Sequence, residues 1–221
     1  MPVAPDRYAP TPRTTPTRDN GRVTYDRELV HGILDSEYLC HVGFVADTAP
    51  VVLPTLYARV EDRLYLHGSS GSRLMLLARE GVAVCVTVTC LDGLVLARSA
   101  RHHSANYRSV VVHGTAHRVS EEREARLAVD RIVDHAVPGR AADIRPPSAK
   151  ELAATGVLRL DIAEVSAKVR SGGVNEEPED LDLPHWAGVL PLRRSVGAPR
   201  PDPKMPDDVA LPAYLEHYTT G

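Results

Sequence analysis

From Tyr38 onward the apolar positions fall into short alternating runs separated by turn residues, the texture of an antiparallel β meander. The pattern predicts strands from Tyr38 to Ala46, from Val51 to Val60 and from Leu64 to His67, with turns at Asp47 to Pro50 and at Glu61-Asp62. Ahead of them, Thr24 is placed to cap a short helix from Tyr25 to Leu34, with Asp26 and Glu28 in the first turn where the helix dipole favours acids. Gly68 to Gly71 is a small-residue loop. Ser72 then opens a helix in which Leu74, Leu77 and Ala78 recur at helical spacing, and Gly81 ends it. Val82 to Cys90 reads as a strand covered on both faces, Leu91-Asp92-Gly93 as a turn, and Leu94 to Ser99 as further β structure. Tyr107 to Val119 is the next long strand, with Val110 and Val112 on one face and Val111 on the other.

The second half carries the clearest helical signal. Ser120 caps a helix from Glu121 to Ala136 whose apolar stripe is Ala125, Ala128, Val129, Ile132 and Val133, and Pro138-Gly139 stops it. A further helix spans Ser148 to Thr155. Val157 to Val165 then alternates as a half-buried strand, and Ala167 to Arg170 pairs beside it. With no repeat and no break in texture between Tyr25 and Ser171, the organisation is a flexible tail over 1–22, one mainly β domain of the α+β class over 23–171, and an extended proline-rich arm over 172–221. The arm holds the single tryptophan, Trp186.

Composition narrows the classes of function. With 26 basic and 29 acidic side chains the formal charge is −3, which gives no attraction for a nucleic-acid backbone or an anionic membrane. No apolar run is long enough to cross a bilayer, and the N-terminal stretch lacks the apolar segment of a signal peptide, so a cytoplasmic protein is expected. Cys40, Cys85 and Cys90 make an odd count suited to a reducing compartment. An offset of five along a strand sends Cys85 and Cys90 to opposite faces, so they do not share a metal, and no metal site is expected.

Chemistry concentrates in His67-Gly68-Ser69-Ser70-Gly71-Ser72-Arg73, where a strand runs through a glycine- and serine-rich loop into a helix. Exposed amides, serine hydroxyls and the Arg73 guanidinium there suit a phosphomonoester. The loop lacks the lysine and spacing of a nucleotide-triphosphate loop and the GxGxxG fingerprint. A second polar and aromatic run, His102-His103-Ser104-Ala105-Asn106-Tyr107-Arg108-Ser109, precedes an apolar strand and can line a pocket. No G-x-S-x-G elbow is present, and the paired acids Glu121-Glu122 and Glu176-Glu177 read as solvated faces.

The order of helix, meander, Gly/Ser loop with Ser72-Arg73, strand Val82 to Cys90 and the segment Asn106-Tyr107-Arg108-Ser109-Val110-Val111-Val112-His113-Gly114 resembles the pyridoxamine 5'-phosphate oxidase-like family, in its flavin-nucleotide-binding, nitroimidazole-resistance-like branch. The similarity covers Tyr25 to Ser171. It implies an antiparallel split β-barrel with flanking helices, assembled as a homodimer with FMN in clefts between the subunits. On that resemblance Ser72 and Arg73 grip the FMN phosphate with His67, Gly68, Ser69 and Ser70 alongside, and Pro54 and Thr55, after Val52 and Leu53, pass beside the isoalloxazine. Asn106, Tyr107 and Ser109 reach the flavin from the partner chain.

The implied activity is an FMN-dependent oxidoreductase acting between small-molecule electron donors and acceptors, of nitroreductase or quinone-reductase type, with no catalytic side chain named. The C-terminal Arg-x-x-x-Arg-x-x-Pro-like stretch of vitamin B6 oxidases is missing, since Arg193 and Arg194 are adjacent, so oxidation of that vitamin is not expected. Two alternatives accompany this reading: a non-catalytic flavin- or haem-binding split barrel with His102, His103 or His113 as axial ligand, and a reductase using F420.

Overall fold

The computed structural model describes residues 6–18, 20–216 and 218. Strand β2 (Leu39–Ala46) buries Cys40, Val42, Phe44 and Ala46 and turns the intervening side chains outward. That period of two is repeated in β5 (Val82–Leu96) and from Val110 onward in β6 (Ser104–Arg118), whereas β3 (Ala49–Val60) and β4 (Arg63–Ser69) bury consecutive residues, Tyr57-Ala58 and Leu64-Tyr65-Leu66, because one face meets the common interior and the other is covered from outside. Pairing of β6 with β7 (Thr155–Asp161), β7 with β4, β4 with β3, β3 with β2, β2 with β5 and β5 with β6 returns to its starting strand. These six antiparallel strands therefore close a barrel, which removes the sheet edges that would otherwise invite aggregation. Below its registration with β7, β6 parts from the barrel and pairs instead with β8 (Glu164–Arg170), which carries β1 (Val23–Thr24) on its other side. The barrel is split at this point.

Two helices seal it. Helix α1 (Arg27–Ser36) buries Val30, Ile33 and Leu34 in the barrel core, and Tyr57 donates its hydroxyl to the Leu34 carbonyl at 2.5 Å. Helix α3 (Glu122–Ala136) packs Ala128 and Ile132 on the outside of β3, β4 and β7 against Ala58, Tyr65 and Val157. Each fully buried aliphatic side chain of these clusters contributes ~1.5–3 kcal/mol, and burial also pushes the Cys40 thiol up to about 12, so it acts as a small inert hydrophobe.

Several local expectations are corrected. Asp26, not Thr24, caps α1, its carboxylate accepting from the Leu29 amide at 2.8 Å, because Thr24 is held in β1. Ser120 makes no cap; α3 follows Glu121 without a side-chain cap. In the short helix α2 (Arg73–Leu77) it is Leu74 and Met75 that face the core while Leu77 is exposed. Leu91-Asp92-Gly93 is a bulge within one continuous β5, not a turn, and the outer face of β5 is partly open, not covered. The strand expected over Val157 to Val165 breaks at Ile162-Ala163, where the Ile162 amide is drawn to the Asp62 carbonyl at 2.8 Å, so β7 and β8 pair with different partners. The short helix α4 (Ala149–Ala154) has a reciprocal capping box between Ser148 and Glu151.

The leading segment is packed where a loose tail was expected. Tyr8 is buried and donates to Asp62 at 3.0 Å, with Arg27 stacked on its ring, and Thr14 is buried beside Thr11. Among its described residues, 172–216 and 218, the arm contributes none to the buried core. Its strand β9 (Gly188–Pro191) joins the distal part of β5, and its last helix α5 (Ala213–Glu216) sits near Asp143 through Tyr214.

Candidate functional site

Strand β4 delivers His67, Gly68 and Ser69 to one mouth of the barrel, and α2 closes the floor beneath them. The loop between them is fixed by its own backbone: the Ser70 amide donates to the Ala154 carbonyl and the Ser72 amide to the Ser69 carbonyl, both at 2.9 Å. Among the described residues the amides of Gly71, Arg73 and Leu74 donate to nothing, as the first groups of a helix do. Ser72 accepts from the Met75 amide at 3.4 Å, and its hydroxyl proton stays available for donation outward.

A cleft of about 260 Å³ opens here, lined by Pro54, Thr55, His67, Gly68, Ser69 and Ser72 over a floor of Val42, Leu66, Leu74 and Met75. Thr55 donates to the His67 carbonyl at 3.2 Å, which ties β3 to the loop. Nδ1 of His67 is buried without a protein partner, an orphaned polar atom beside the cleft. The loop can come this close to β7 because position 156 is glycine: a Cβ there would lie 2.6 Å from Met75 Sδ and 3.3 Å from Ser70 Cα. Hydroxyls, unspent amides and a buried imidazole around a small cleft suit a phosphate group.

Arg73 does not lie over this cleft. Its Nη1 reaches across to Asp47 in the β2–β3 turn at 3.4 Å, and both side chains are largely exposed, 65% and 83%. Asp47 comes within reach because Asp47 and Thr48 both adopt positive φ, 48° and 68°, in the two-residue hairpin turn between β2 and β3. A pair this exposed is worth only ~0–1 kcal/mol, too little to hold the guanidinium against a phosphate dianion.

The remaining expected residues sit at the other end of the molecule. β5 and β6 form one long hairpin whose root, Val82 opposite Ala116, lies near α2, and whose tip, Val95 opposite Ser104, projects beyond β2. Asn106, Tyr107 and Ser109 belong to that tip. Asn106 donates to the Gly172 carbonyl at 3.0 Å and accepts from Arg170, and Ser109 donates to the Lys168 carbonyl at 3.4 Å. Within one chain the two groups do not meet.

The tip also gathers groups that the sequence left scattered. Glu176, almost fully buried, accepts from the backbone and side chain of Arg98, and the Arg98 amide holds its carboxyl below the usual range. His102 has Nε2 3.8 Å from Glu177, and Nδ1 of His103 meets the Ser99 carbonyl at 3.0 Å. His113 faces outward on β6, beneath Thr14, Thr15 and Pro16. Cys85 is part-exposed and Cys90 buried, on opposite faces as expected, and no group of three metal-ligating side chains is found among the described residues. No helix among them is long and apolar enough to cross a membrane.

A family model described as pyridoxamine 5'-phosphate oxidase matches residues 26–169. The chain is similar to the solved flavocytochrome Anf3 from Azotobacter vinelandii, at 42% identity over 97% of this chain and 100% of that one, with a TM-score of 0.90. It is also similar to a FAD and heme binding protein from Mycobacterium smegmatis, at 36% identity over 90% of this chain and 98% of that one, with a TM-score of 0.85. A nitroimidazole resistance-like protein from Bacteroides thetaiotaomicron shares the fold at 22% identity, covering 66% of this chain and 86% of that one with a TM-score of 0.56. No curated protein matches the chain.

Proposed function

Because this chain belongs to the pyridoxamine 5'-phosphate oxidase family of flavin-binding split barrels, we propose that it is a flavin-dependent oxidoreductase that seats the phosphate of its cofactor at the barrel mouth. The observation that carries this reading is the cleft of Thr55, His67, Gly68, Ser69 and Ser72, where hydroxyls line the wall beside an orphaned imidazole nitrogen and the adjoining loop leaves its amides unspent. Serine hydroxyls and the Gly71, Arg73 and Leu74 amides bind the phosphate oxygens, and Arg73 leaves Asp47 to neutralise their charge. Bound flavin supplies hydride chemistry at its ring; the chain supplies grip, orientation and exclusion of water. FMN is the expected form, and the same donors suit the pyrophosphate of FAD.

A cleft of about 260 Å³ is smaller than the ~300–1,000 Å³ usual for a ligand pocket, so it takes the phosphate end alone. The ring then lies outside the mouth and needs a second wall. A homodimer, in which Asn106, Tyr107 and Ser109 of the partner face this mouth, provides one. Without an arginine pair of the vitamin-oxidase spacing, the substrate is a small diffusible electron acceptor and not a pyridoxine phosphate.

Of the two nearly full-length similar structures one is named a flavocytochrome and the other a FAD and heme binding protein, which favours a second reading alongside the first: a flavocytochrome holding both groups. The test is the absorption spectrum of the protein as isolated, with mass identification of whatever acid releases. Flavin bands with FMN or FAD in the extract support the reading. Arg73→Ala is expected to weaken flavin binding by ~10–100-fold, the loss of ~1.5–3 kcal/mol for charge-assisted hydrogen bonds. A colourless protein that ignores FMN, FAD and F420 in titration overturns it.

A further inference from the structure

We infer that His103, on the β5–β6 tip, is the axial ligand through which this chain binds haem, and that Trp186 of the arm forms one wall of that site; the inference rests on the flavocytochrome reading above. A carbonyl oxygen can only accept, so the 3.0 Å contact between His103 Nδ1 and the Ser99 carbonyl places the proton on Nδ1 and leaves the Nε2 lone pair free. This is the tautomer and the outer-shell partner that a metal-bound imidazole needs.

Five other described histidines, His31, His67, His102, His113 and His135, lack that combination. His31 and His135 spend Nε2 on Tyr8 and on the Glu37 carbonyl, both at 2.8 Å. His102 is mostly buried with Nε2 toward Glu177, and the space beside His113 is only about 260 Å³ beneath the leading segment. His67 has its Nδ1 buried with no acceptor, so ligation through Nε2 would leave a buried N–H unpaired.

What surrounds His103 suits an apolar macrocycle. Opposed residues of an antiparallel pair share a face, so Ala105, Leu94 and Leu190 stand in one row across β6, β5 and β9. His103 is extended (φ −60°, ψ 140°) and lies one step beyond the Val95–Ser104 pair, in line with the Leu96–Gly188 row of the same face. Gly188 lets the Trp186 ring approach that row, since a Cβ at 188 would come within 2.8 Å of the indole. The face is open: Trp186 is 69% exposed, Leu190 50% and Leu94 38%. Arg101 is exposed two residues from His103 and enters no ion pair among the described residues, which places a positive charge where haem carboxylates can meet it.

The proposal is tested by adding hemin to the full-length, flavin-loaded protein and to His103→Ala, His102→Ala and His113→Ala. The readouts are the Soret band, electron paramagnetic resonance and emission from the single tryptophan. The wild type, His102→Ala and His113→Ala are expected to give one low-spin or five-coordinate histidine signature with strong quenching of Trp186. His103→Ala is expected to lose at least tenfold in hemin affinity, with flavin retained as proof of folding, and added imidazole restores the Soret band. His103→Met, which can still ligate, gives a shifted band. A wild-type spectrum in His103→Ala, or hemin binding that leaves Trp186 emission unchanged, overturns the assignment. A wild type that binds flavin and gives no Soret band with excess hemin overturns the haem reading itself and leaves the flavin reading standing.

Discussion

The two ends of the β5–β6 hairpin are built on opposite terms. At its root the barrel mouth leaves donors unspent: the amides of Gly71, Arg73 and Leu74 have no acceptor among the described residues, serine hydroxyls and His67 line a small cleft beside them, and Arg73 is held by an exposed aspartate. At its tip almost every charge is matched. Arg98 is locked to Glu176, Arg108 to Asp92 at 2.9 Å and Arg194 to Glu37, while the apolar side chains of Leu91, Leu94, Leu190 and Trp186 stay outside. Unspent donors mark a place that receives a small anion. Paired charges beneath an exposed apolar face mark a place that receives a flat apolar group or a second copy, because monomers seldom leave such a patch to water.

The largest expected effect comes from breaking the mouth alone. Gly156→Val forces branched carbons into Met75 and toward the Ser70 backbone, so α2 and the loop must shift. Overpacking of this kind costs ~1–3 kcal/mol in denaturant unfolding, and a displaced phosphate cradle loses ~100-fold or more in flavin affinity. The arm is anchored elsewhere and keeps its wild-type protease pattern. Equal damage to both ends in Gly156→Val would show that they are one cooperative unit.

A milder perturbation releases the tip. Glu176 is held below its ordinary 4.5 by the Arg98 amide first and by the Arg98 side chain next. A depressed carboxylate stabilises the fold above its unfolded pKa, and that contribution is lost as pH falls through the lower folded pKa. Below pH 4.5 the segment around Trp186 is therefore expected to loosen, seen as a shift in tryptophan emission and faster cleavage in the arm. Glu176→Gln moves the neutral-pH protein toward that state and abolishes the acid step. An acid transition unchanged in Glu176→Gln would assign the step to another carboxylate.

What the chain reveals in advance follows the range of the forces involved. The strands around the barrel, the α3 stripe and the Gly/Ser loop are local patterns, so their positions can be read along the sequence. The bulge at Leu91-Asp92-Gly93 looks like a turn because its composition is that of a turn; only pairing with β6 on one side and β9 on the other keeps it extended. Likewise Val157 to Val165 has an unbroken alternation, and the bend at Ile162 is imposed from the β3–β4 turn through Asp62. At the site, His67, Gly68, Ser69 and Ser72 line one cleft as the loop's own sequence suggests, and Thr55, expected there only from the family resemblance, lines it too. The Arg73–Asp47 pair and the locked Nδ1 of His103 depend on contacts to a hairpin turn and a short helical turn that no spacing encodes.

The smallest expected effect separates a grip from a prop. If Asp47 merely parks Arg73, its removal frees the guanidinium before the phosphate arrives, and flavin binds more tightly. An exposed pair is worth ~0.2–1 kcal/mol, so Asp47→Ala gains ~1.4–5-fold in affinity at low salt. The gain shrinks as salt screens the competing pair, because both side chains stand in solvent. Asp47→Asn, which keeps the turn's tolerance for positive φ while removing the charge, is expected to show the same gain and so exclude a backbone effect. Weaker flavin binding in both variants would instead mean that Asp47 aims Arg73 at the phosphate, so that the pair belongs to the grip and not to its resting state.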